Sequence, residues 1–452
     1  MISEMSGKYI VLISVHGLIR GQNLELGRDR DTGGQTKYVI ELAKALASRE
    51  DIAKVDLFTI LVKDDEVDLD YKEPFEKLSD KAQIVRFEYG TNRYLTKEKL
   101  WSRLDTFSEN ALAYLNKSTE KPDVIHSHYA DAAEVGMNLA KHYPEARLVH
   151  TGHSLGRIKL LKLLEKGLDR DSIEEKYNIS KRIMVEEAIL EQAEFIVASS
   201  NNEIDEQYGM YDAYQKSKFK LIPPGVDTEI FNTNELNASY FNEINRFLDQ
   251  PEKPIILSIC RPDERKNISS LIIAYGRSPA LQEKANLVLV LGSRQDIKTM
   301  PPGPNKVLTN VLLLIDKFNL YGKVAYPKQH QAEDIPNIYK YAASTKGVFV
   351  NPALTEPFGL TLLEAASCRL PIVATKNGGP NDIVKNCKNG ILIDTLNIRE
   401  MAEAIEKIVS DEELWESYSE NGVKAIKEFY SWQHHCDEYL KLFEQQKSLQ
   451  EI

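Results

Sequence analysis

Cysteine is scarce in this chain, and its placement rules out one kind of chemistry at once. Among 452 residues there are four, Cys260, Cys368, Cys387 and Cys436, all in the second half and none at a spacing that ligates a metal. They read as reduced, structural thiols, as in a protein kept in the cytoplasm. Long apolar runs are missing too. No stretch supplies the roughly 20 apolar residues of a membrane-spanning helix, so no membrane partner is expected. The opening residues, MISEMSGKYIVLISV, carry Glu4 and run straight into a strand, without the basic head and cleavage site of a signal peptide. Nor is there a surplus of positive charge. The net charge is −11, with acids and bases mixed along the chain, which argues against a nucleic-acid partner and leaves room for a local basic pocket. Repeats and low-complexity tracts are absent, so a packed globular enzyme is expected.

What is present is a long alternation of strands and helices. The length exceeds what one core accommodates and predicts two or three domains. Tyr9 to Val15 reads as an apolar strand, followed by the loop HGLIRGQNLELGRDRDTGGQ and a helix with Val39, Leu42, Ala43 and Leu46 on one face. Gly33 and Gly34 therefore stand at a helix N-terminus, where backbone N–H groups can approach an anion. The spacing is not that of a dinucleotide-binding loop. Further strands are predicted at 55–62, 83–88, 123–126, 146–150, 195–199 and 219–222, and a helix over 97–115. Such alternation implies a mostly parallel sheet with helices on both faces. Polar residues then gather at one sheet edge: His16, Gly33, Gln35, His126, His128, Tyr129, His153 and Ser154. His153, on the Gly-flanked turn TGHSLG, is the histidine best placed to face a ligand. One of His126 and His128 is expected in the core. Bases recur at Arg93, Lys97, Arg157, Lys159, Lys162, Lys181 and Arg182, the last two placed just before an acid-rich helix. They are either solvated helix faces or cations that converge on one phosphate.

The segment IPPGVD at 222–227 reads as a linker, and a second α/β alternation begins at Pro254. Its first strand ends in Arg261-Pro-Asp-Glu-Arg-Lys266, which sets two cations beside a strand end. Arg294, at the end of the next strand, is a weaker candidate. The stretch GVFVNPALTEPFGLTLLEAASCRLPIVATKNGGPND, residues 347–382, pairs Glu356 in a loop with Glu364 inside the following helix. Either acid alone reads as a cap or a solvated residue; together, after a buried strand, they point to a ligand crevice. The tail from Asp411 to Leu449 reads as helical and without strands; Trp432 marks an amphipathic final helix with Tyr439, Leu440 and Phe443 on its buried side.

Several strings together carry a resemblance that covers nearly the whole chain: HGLIRGQNLELGRDRDTGGQTKYVIELAKAL, TGHSLGRIKLLKLL, NISKRIMVEEAIL, RPDERKN and NPALTEPFGLTLLEAASCRLPIVATKNGGP. The sequence resembles retaining glycosyltransferases of the GT-B fold, and more closely the sucrose-phosphate synthase family. The two-glutamate element is shared by many transferases. The DTGGQ loop narrows it to the sucrose-forming group, and GRIKLLKLL with SKRIMVEE favours a phosphorylated acceptor. The resemblance implies two Rossmann-like, doubly wound domains facing across a deep cleft. Residues 1–225 would bind the acceptor, 226–430 would bind the nucleotide sugar, and 431–452 would pack back across the domains.

The resemblance also implies roles. Glucose would move from UDP-glucose to fructose 6-phosphate, giving sucrose 6-phosphate and UDP with retention of configuration. His153, Arg261, Lys266 and Glu356 would form the catalytic set, with Glu356 gripping the sugar rather than acting as base or nucleophile. The donor would be held by Gly33, Gly34, Arg261, Lys266, Glu356, Phe358, Gly359, Leu360 and Glu364. The acceptor would meet Gln35, Arg93, Lys97, Tyr129, Ser154, Lys159, Lys181 and Arg182. No metal or other cofactor would be needed, and a separate sucrose-phosphate phosphatase would act downstream. The form would be a compact one, without regulatory extensions, and Arg369 stands where related sequences usually carry glycine. Two alternatives stay open: a sucrose synthase, or another transferase acting on fructose 6-phosphate, and a catalytically idle nucleotide-sugar binder.

Overall fold

The protein is described by a computed structural model that covers residues 7–25, 28–234, 236 and 241–444. Glu4, part of the Asn-rich segment before Pro254, and the last eight residues of the expected C-terminal segment lie outside the described residues. The chain divides into two units, Met1–Pro223 with Cys436–Ile452, and Pro224–His435.

The first unit is built on eight strands. They are β1 (Lys8–Ile13), β2 (Ile52–Ile60), β3 (Phe75–Lys77), β4 (Ala82–Phe87), β5 (Val124–His128), β6 (Arg147–Thr151), β7 (Phe195–Ala198) and β8 (Phe219–Leu221). Their order in the sheet is β3-β4-β2-β1-β5-β6-β7-β8, all parallel except the antiparallel edge strand β3. The central strands are apolar on both faces, as parallel sheets covered by helices must be: every residue from Tyr9 to Ile13 is buried.

The second unit has six parallel strands. They are β9 (Ile255–Ile259), β10 (Asn286–Val290), β11 (Val324–Ala325), β12 (Val348–Asn351), β13 (Ile372–Thr375) and β14 (Gly390–Ile393), in the order β11-β10-β9-β12-β13-β14. Alternate residues of one strand enter different cores. Ile255, Leu257, Phe349 and Ile372 join one apolar cluster, while Ile256, Val348, Val350 and Val373 join another. That alternation is the period-2 geometry of a strand with helices packed on each side.

Four expectations need correction. The helix expected over 97–115 is broken: a turn at Lys97–Leu100 and a 3-10 segment at Trp101–Arg103 lead into the helix Leu104–Lys117. Lys181 and Arg182 lie inside the helix Ile179–Gln192, not before it, because Asn178 in a left-handed conformation starts that helix earlier. His126 and His128 are both fully buried. The tail is two helices, Glu412–Phe429 and Trp432–Lys441, interrupted where Ser431 bridges to Val226. Of the residues expected on the apolar face of the last helix, Tyr439 and Leu440 are buried on it, and Phe443 is buried just past its end at Lys441. No helix among the described residues is long and apolar enough to cross a membrane.

One polar group sits deep in the first sheet. Asp56 of β2 is fully buried and accepts bonds from Tyr9 Oη (2.6 Å), Tyr114 Oη (3.0 Å) and Gln83 Nε2 (2.9 Å), with Lys54 Nζ at 2.9 Å. Its removal would strand four partners, so Asp56→Ala is expected to cost about 3–5 kcal/mol in chemical denaturation. A loss below about 1 kcal/mol would contradict this account.

Candidate active site

In the first unit the polar residues converge where the strands end. His16, three residues beyond β1, places Nδ1 2.7 Å from Asp131 Oδ2, and its ring meets Tyr129 edge-on at 4.5 Å. Tyr129 follows β5 directly and has φ +80°, a left-handed backbone rare for a bulky residue. The helix Gly34–Ala47 opens on Gly33 and Gly34 with no acid in its first turn. A Cβ added at either glycine would meet nothing within 4 Å, so open space adjoins this helix end. Gln35 turns back to the strand ends, donating from Nε2 to Ser14 Oγ (3.0 Å) and to the His128 carbonyl (3.3 Å).

His153, past the end of β6, also has a left-handed backbone, φ +57°. Its Nε2 lies 3.0 Å from His128 Nδ1, and Tyr38 packs edge-on against it at 4.9 Å. The ring is half-buried. Burial, followed by the charges of His150 and His16, holds its pKa down, to about 3.

Beside it lies a group of cations, each with an acid. Arg182 is buried. It donates from Nε to Glu186 Oε1 (2.8 Å) and from Nη2 to the Ser154 carbonyl (2.7 Å) and hydroxyl (3.1 Å), and its guanidinium lies 4.4 Å from the Tyr129 ring centre. Lys159 sits 3.4 Å from Glu98 and 4.0 Å over the Tyr177 ring. Burial pulls the Lys159 ammonium down to about 8; Glu98 opposes the shift, while Arg182 and Lys97 add to it. Lys97 pairs closely with Asp31 and also donates its backbone N–H to Oδ2 of that acid (2.7 Å). Burial works to raise the Asp31 carboxyl, but His16 and Lys97 leave it below its ordinary value.

In the second unit, Lys266 Nζ lies 2.7 Å from Glu356 Oε2, and Asn351 Nδ2 donates to the same oxygen at 3.1 Å. The loop carrying Glu356 is clamped by backbone. Glu356 N–H donates to the Asn377 carbonyl (3.0 Å), and Gly379 N–H donates to the Glu356 carbonyl (3.0 Å). Gly378 has φ +113°, and a Cβ there would lie 2.1 Å from the Glu356 carbonyl oxygen. Asn267, left-handed at φ +55°, ties the neighbouring loops together through its Nδ2 to the Pro352 (3.0 Å) and Thr395 (3.2 Å) carbonyls. Arg261 is exposed at the end of β9, and its charge is felt by Asp263 and Cys260. Gly359, at φ +106°, opens the helix Leu360–Ser367; Phe358 and Leu360 flank it half-buried. Glu364 is buried inside that helix and accepts from Tyr339 Oη at 3.4 Å. A cavity of about 630 Å³ opens near the ends of β10 and β11, lined by residues including Phe247, Tyr326, Lys328, Gln329 and His330.

Lys97, Lys159, Arg182, Ser154 and Tyr129 thus fall in one neighbourhood, joined by contacts or by the charges they exert on one another. Three candidates are placed differently. Lys181 projects from its helix to Glu134 (3.0 Å) and the Trp101 ring (5.8 Å). Arg93 is exposed on the loop after β4, where its charge acts on Asp64. Arg294 is buried and spends its guanidinium on the Pro327 and Tyr326 carbonyls, both at 3.1 Å, which is a structural task. The residues missed from sequence are the acids that hold the cations, Asp31, Glu98 and Glu186, with Asp131 and Asn351. Asp31 stands in the DTGGQ loop and Asp131 in the HSHYAD string, but neither string tells which cation it meets.

Two doubly wound units in one chain are the architecture of GT-B glycosyltransferases, and known proteins agree. Residues 32–230 match the Glycosyltransferase Family 4 family, and residues 241–425 match Glycosyl transferases group 1. Sucrose-phosphate synthase 4 of Arabidopsis thaliana is 44% identical over 96% of this chain and 47% of its own length. Sucrose-phosphate synthase of Zea mays is 43% identical over the same shares. The chain therefore spans about half the length of the curated relatives it matches. Among solved structures, a sucrose-phosphate synthase from Thermosynechococcus elongatus superposes with a TM-score of 0.74 at 28% identity, covering 98% of this chain and 100% of that one. Anabaena HepE in complex with UDP and glucose shares the fold, with a TM-score of 0.64 at 16% identity, over 97% of this chain and 100% of that one. The chain thus carries two glycosyltransferase domains in the GT-B fold, and nearly its whole length is similar to about half of each of these sucrose-phosphate synthases of Arabidopsis thaliana and Zea mays.

The backbone clamp on Glu356 is directly testable. Gly378→Ala is expected to destabilise the second unit by about 2–3 kcal/mol, since it combines an unfavourable φ with a backbone clash. Gly34→Ala, whose Cβ enters open space, should change stability by less than about 1 kcal/mol. Denaturation curves of the two variants that coincide would contradict the clamp.

Proposed function

We propose that this chain transfers glucose from UDP-glucose to fructose 6-phosphate, releasing UDP and forming sucrose 6-phosphate. The observation that carries the reading is the grouping of Lys97, Lys159 and Arg182 beside His153. Burial, with the charges of Arg182 and Lys97 added to it, depresses the Lys159 ammonium, and a bound phosphate dianion is the ligand that relieves such crowding. The sugar of the acceptor would then lie toward His153, Ser154 and Gln35.

On the donor side, Arg261 and Lys266 neutralise the diphosphate, and Lys266 exchanges part of its pairing with Glu356 for it. Glu356 and the backbone around Phe358, Gly359 and Leu360 take the glucose hydroxyls, and Glu364 takes the ribose. The cavity beyond β10 and β11 is of a size for the base. The C1–O bond to UDP breaks as the acceptor hydroxyl bonds to C1 on the same face, and the hydroxyl proton passes to the departing phosphate oxygen. Cations at the leaving group supply the electrostatic stabilisation that this step demands. No metal enters the scheme. A separate phosphatase would then act on the product.

UDP release with UDP-glucose and either fructose 6-phosphate or fructose tests the reading. Turnover with fructose 6-phosphate is expected, and turnover with free fructose alone would overturn it. Lys159→Ala is expected to raise KM for fructose 6-phosphate at least tenfold and to leave KM for UDP-glucose within twofold. The sign of the pH dependence follows from the Lys159 shift. The ammonium is charged below about pH 8 and neutral above it, so kcat/KM for fructose 6-phosphate should fall as pH rises through 8. The same break should be absent in Lys159→Ala.

A further inference from the structure

Behind His153 stands a column of rings with no obvious packing purpose. His128 binds His153 through Nδ1 to Nε2 at 3.0 Å, with centroids 5.2 Å apart and planes 30° apart. The His126 ring meets that of His128 at 4.2 Å, tilted by 33°. Tyr439 stacks on His126 at 5.4 Å and 16°, and its hydroxyl lies 3.1 Å from His126 Nδ1. Thr151 Oγ1, on β6, sits 2.9 Å from His126 Nε2. His126, His128 and Tyr439 are all fully buried.

Apolar residues would fill the same space without the cost of burying two imidazoles and a phenol. The column also has direction. One end is the half-buried His153, held in a left-handed backbone that its surroundings must over-determine. The other end is a hydroxyl on the helix Trp432–Lys441, more than 300 residues from its partner.

Proton placement gives the column a function. His126 is bonded at both ring nitrogens. If the phenol donates to Nδ1, then Nε2 carries the proton and donates to Thr151, so the hydroxyl selects the tautomer. Burial keeps the Tyr439 phenol protonated, and hence a donor. Between His128 Nδ1 and His153 Nε2 there is room for one proton. If His128 donates from Nδ1, His153 Nδ1 carries the proton; if His153 donates from Nε2, its Nδ1 is bare, so the tautomer of His128 sets the state of the His153 nitrogen that faces away from the column.

We propose that Tyr439, on the C-terminal helix, is a positioning residue for His153, acting through His126 and His128. It touches no substrate. The proposal rests on the reading of His153 as a sugar-contacting residue, but its structural part can be tested without that reading.

Two measurements on Tyr439→Phe in the full chain make the test. The first is the imidazole nitrogen spectrum of histidine-labelled protein, whose nine histidines are assigned by single His→Gln variants. The second is kcat and KM with UDP-glucose and fructose 6-phosphate. The expected result is a changed tautomer at His126, shifted signals for His128 and His153, a five- to tenfold fall in kcat, and both KM values within twofold. Thr151→Val, which removes the bond at the other nitrogen of His126 and leaves the helix untouched, should move the same signals and kcat in the same direction. It also serves if Tyr439→Phe does not fold. Unchanged His153 signals in both variants would overturn the proposal, whatever the activity. So would shifted signals with kcat unchanged, or a change confined to KM. If the wild-type protein transfers no sugar between these substrates, the functional reading fails, and the spectra alone decide whether the column orients His153.

Discussion

A parallel sheet covered on both faces has almost nowhere to put a polar side chain except at the ends of its strands. That constraint organises both units. In the first, β1, β5 and β6 are buried along almost their whole length and release His16, Tyr129 and His153 just past their ends. In the second, β9 and β12 do the same for Arg261 and for the loop that carries Glu356. Left-handed backbone at Tyr129, His153, Asn267 and Gly359 marks the places where the chain must turn sharply on leaving a strand or starting a helix. The strain is tolerated because the surrounding bonds and packing fix each turn.

The cations at these edges are held by carboxylates, not left free. Lys97 has Asp31, Lys159 has Glu98, Arg182 has Glu186 and Lys266 has Glu356. The pairs are not equivalent. Arg182 is buried and bonded to Glu186 and Ser154, so separating it would leave a buried charge uncompensated. It is a fixed element of the site. Lys159 is more exposed, its contact with Glu98 is longer, and its charge is opposed by two other cations. An arriving dianion would gain most from Lys159, at little cost in broken bonds. The same distinction holds across the donor residues, where Lys266 is tied to Glu356 and Arg261 lies open.

The architecture was legible because its signals are local. Apolar β-branched runs such as Val348 to Val350 and helical spacing such as Leu360, Leu363 and Ser367 sit where the strands and helices form. The antiparallel edge strand β3 escaped notice, being three residues long with Phe75 exposed. The split near Trp101 and the break at Ser431 depend on contacts that no periodicity records. Site residues were legible where a turn betrayed them, as at His153 and Glu356. Their partners were not, since Asp31 and Lys97 are 66 residues apart and Lys266 and Glu356 are 90. A run of bases in sequence likewise says nothing of direction. Lys181 and Arg182 are neighbours, yet one reaches Glu134 and the other turns inward to Glu186.

The final helix is a case where the pattern gives the face and not the bond. Its amphipathic spacing assigns Tyr439 to a buried face, and a buried tyrosine is usually explained by its ring. Yet the ring area is equally available from phenylalanine, and only the hydroxyl needs a partner. Here the partner is an imidazole, which in turn needs its second nitrogen satisfied, and Thr151 supplies that bond. Tyr439, His126 and Thr151 thus satisfy one another, because leaving any one unpaired in this interior would cost more than the bond itself contributes, and His126 meets His128 through ring contact. Such a chain of obligations is poor value for stability alone. It does, however, link the C-terminal helix, through two bonds at His126 and the ring contact of His126 with His128, to the strand end where His153 stands.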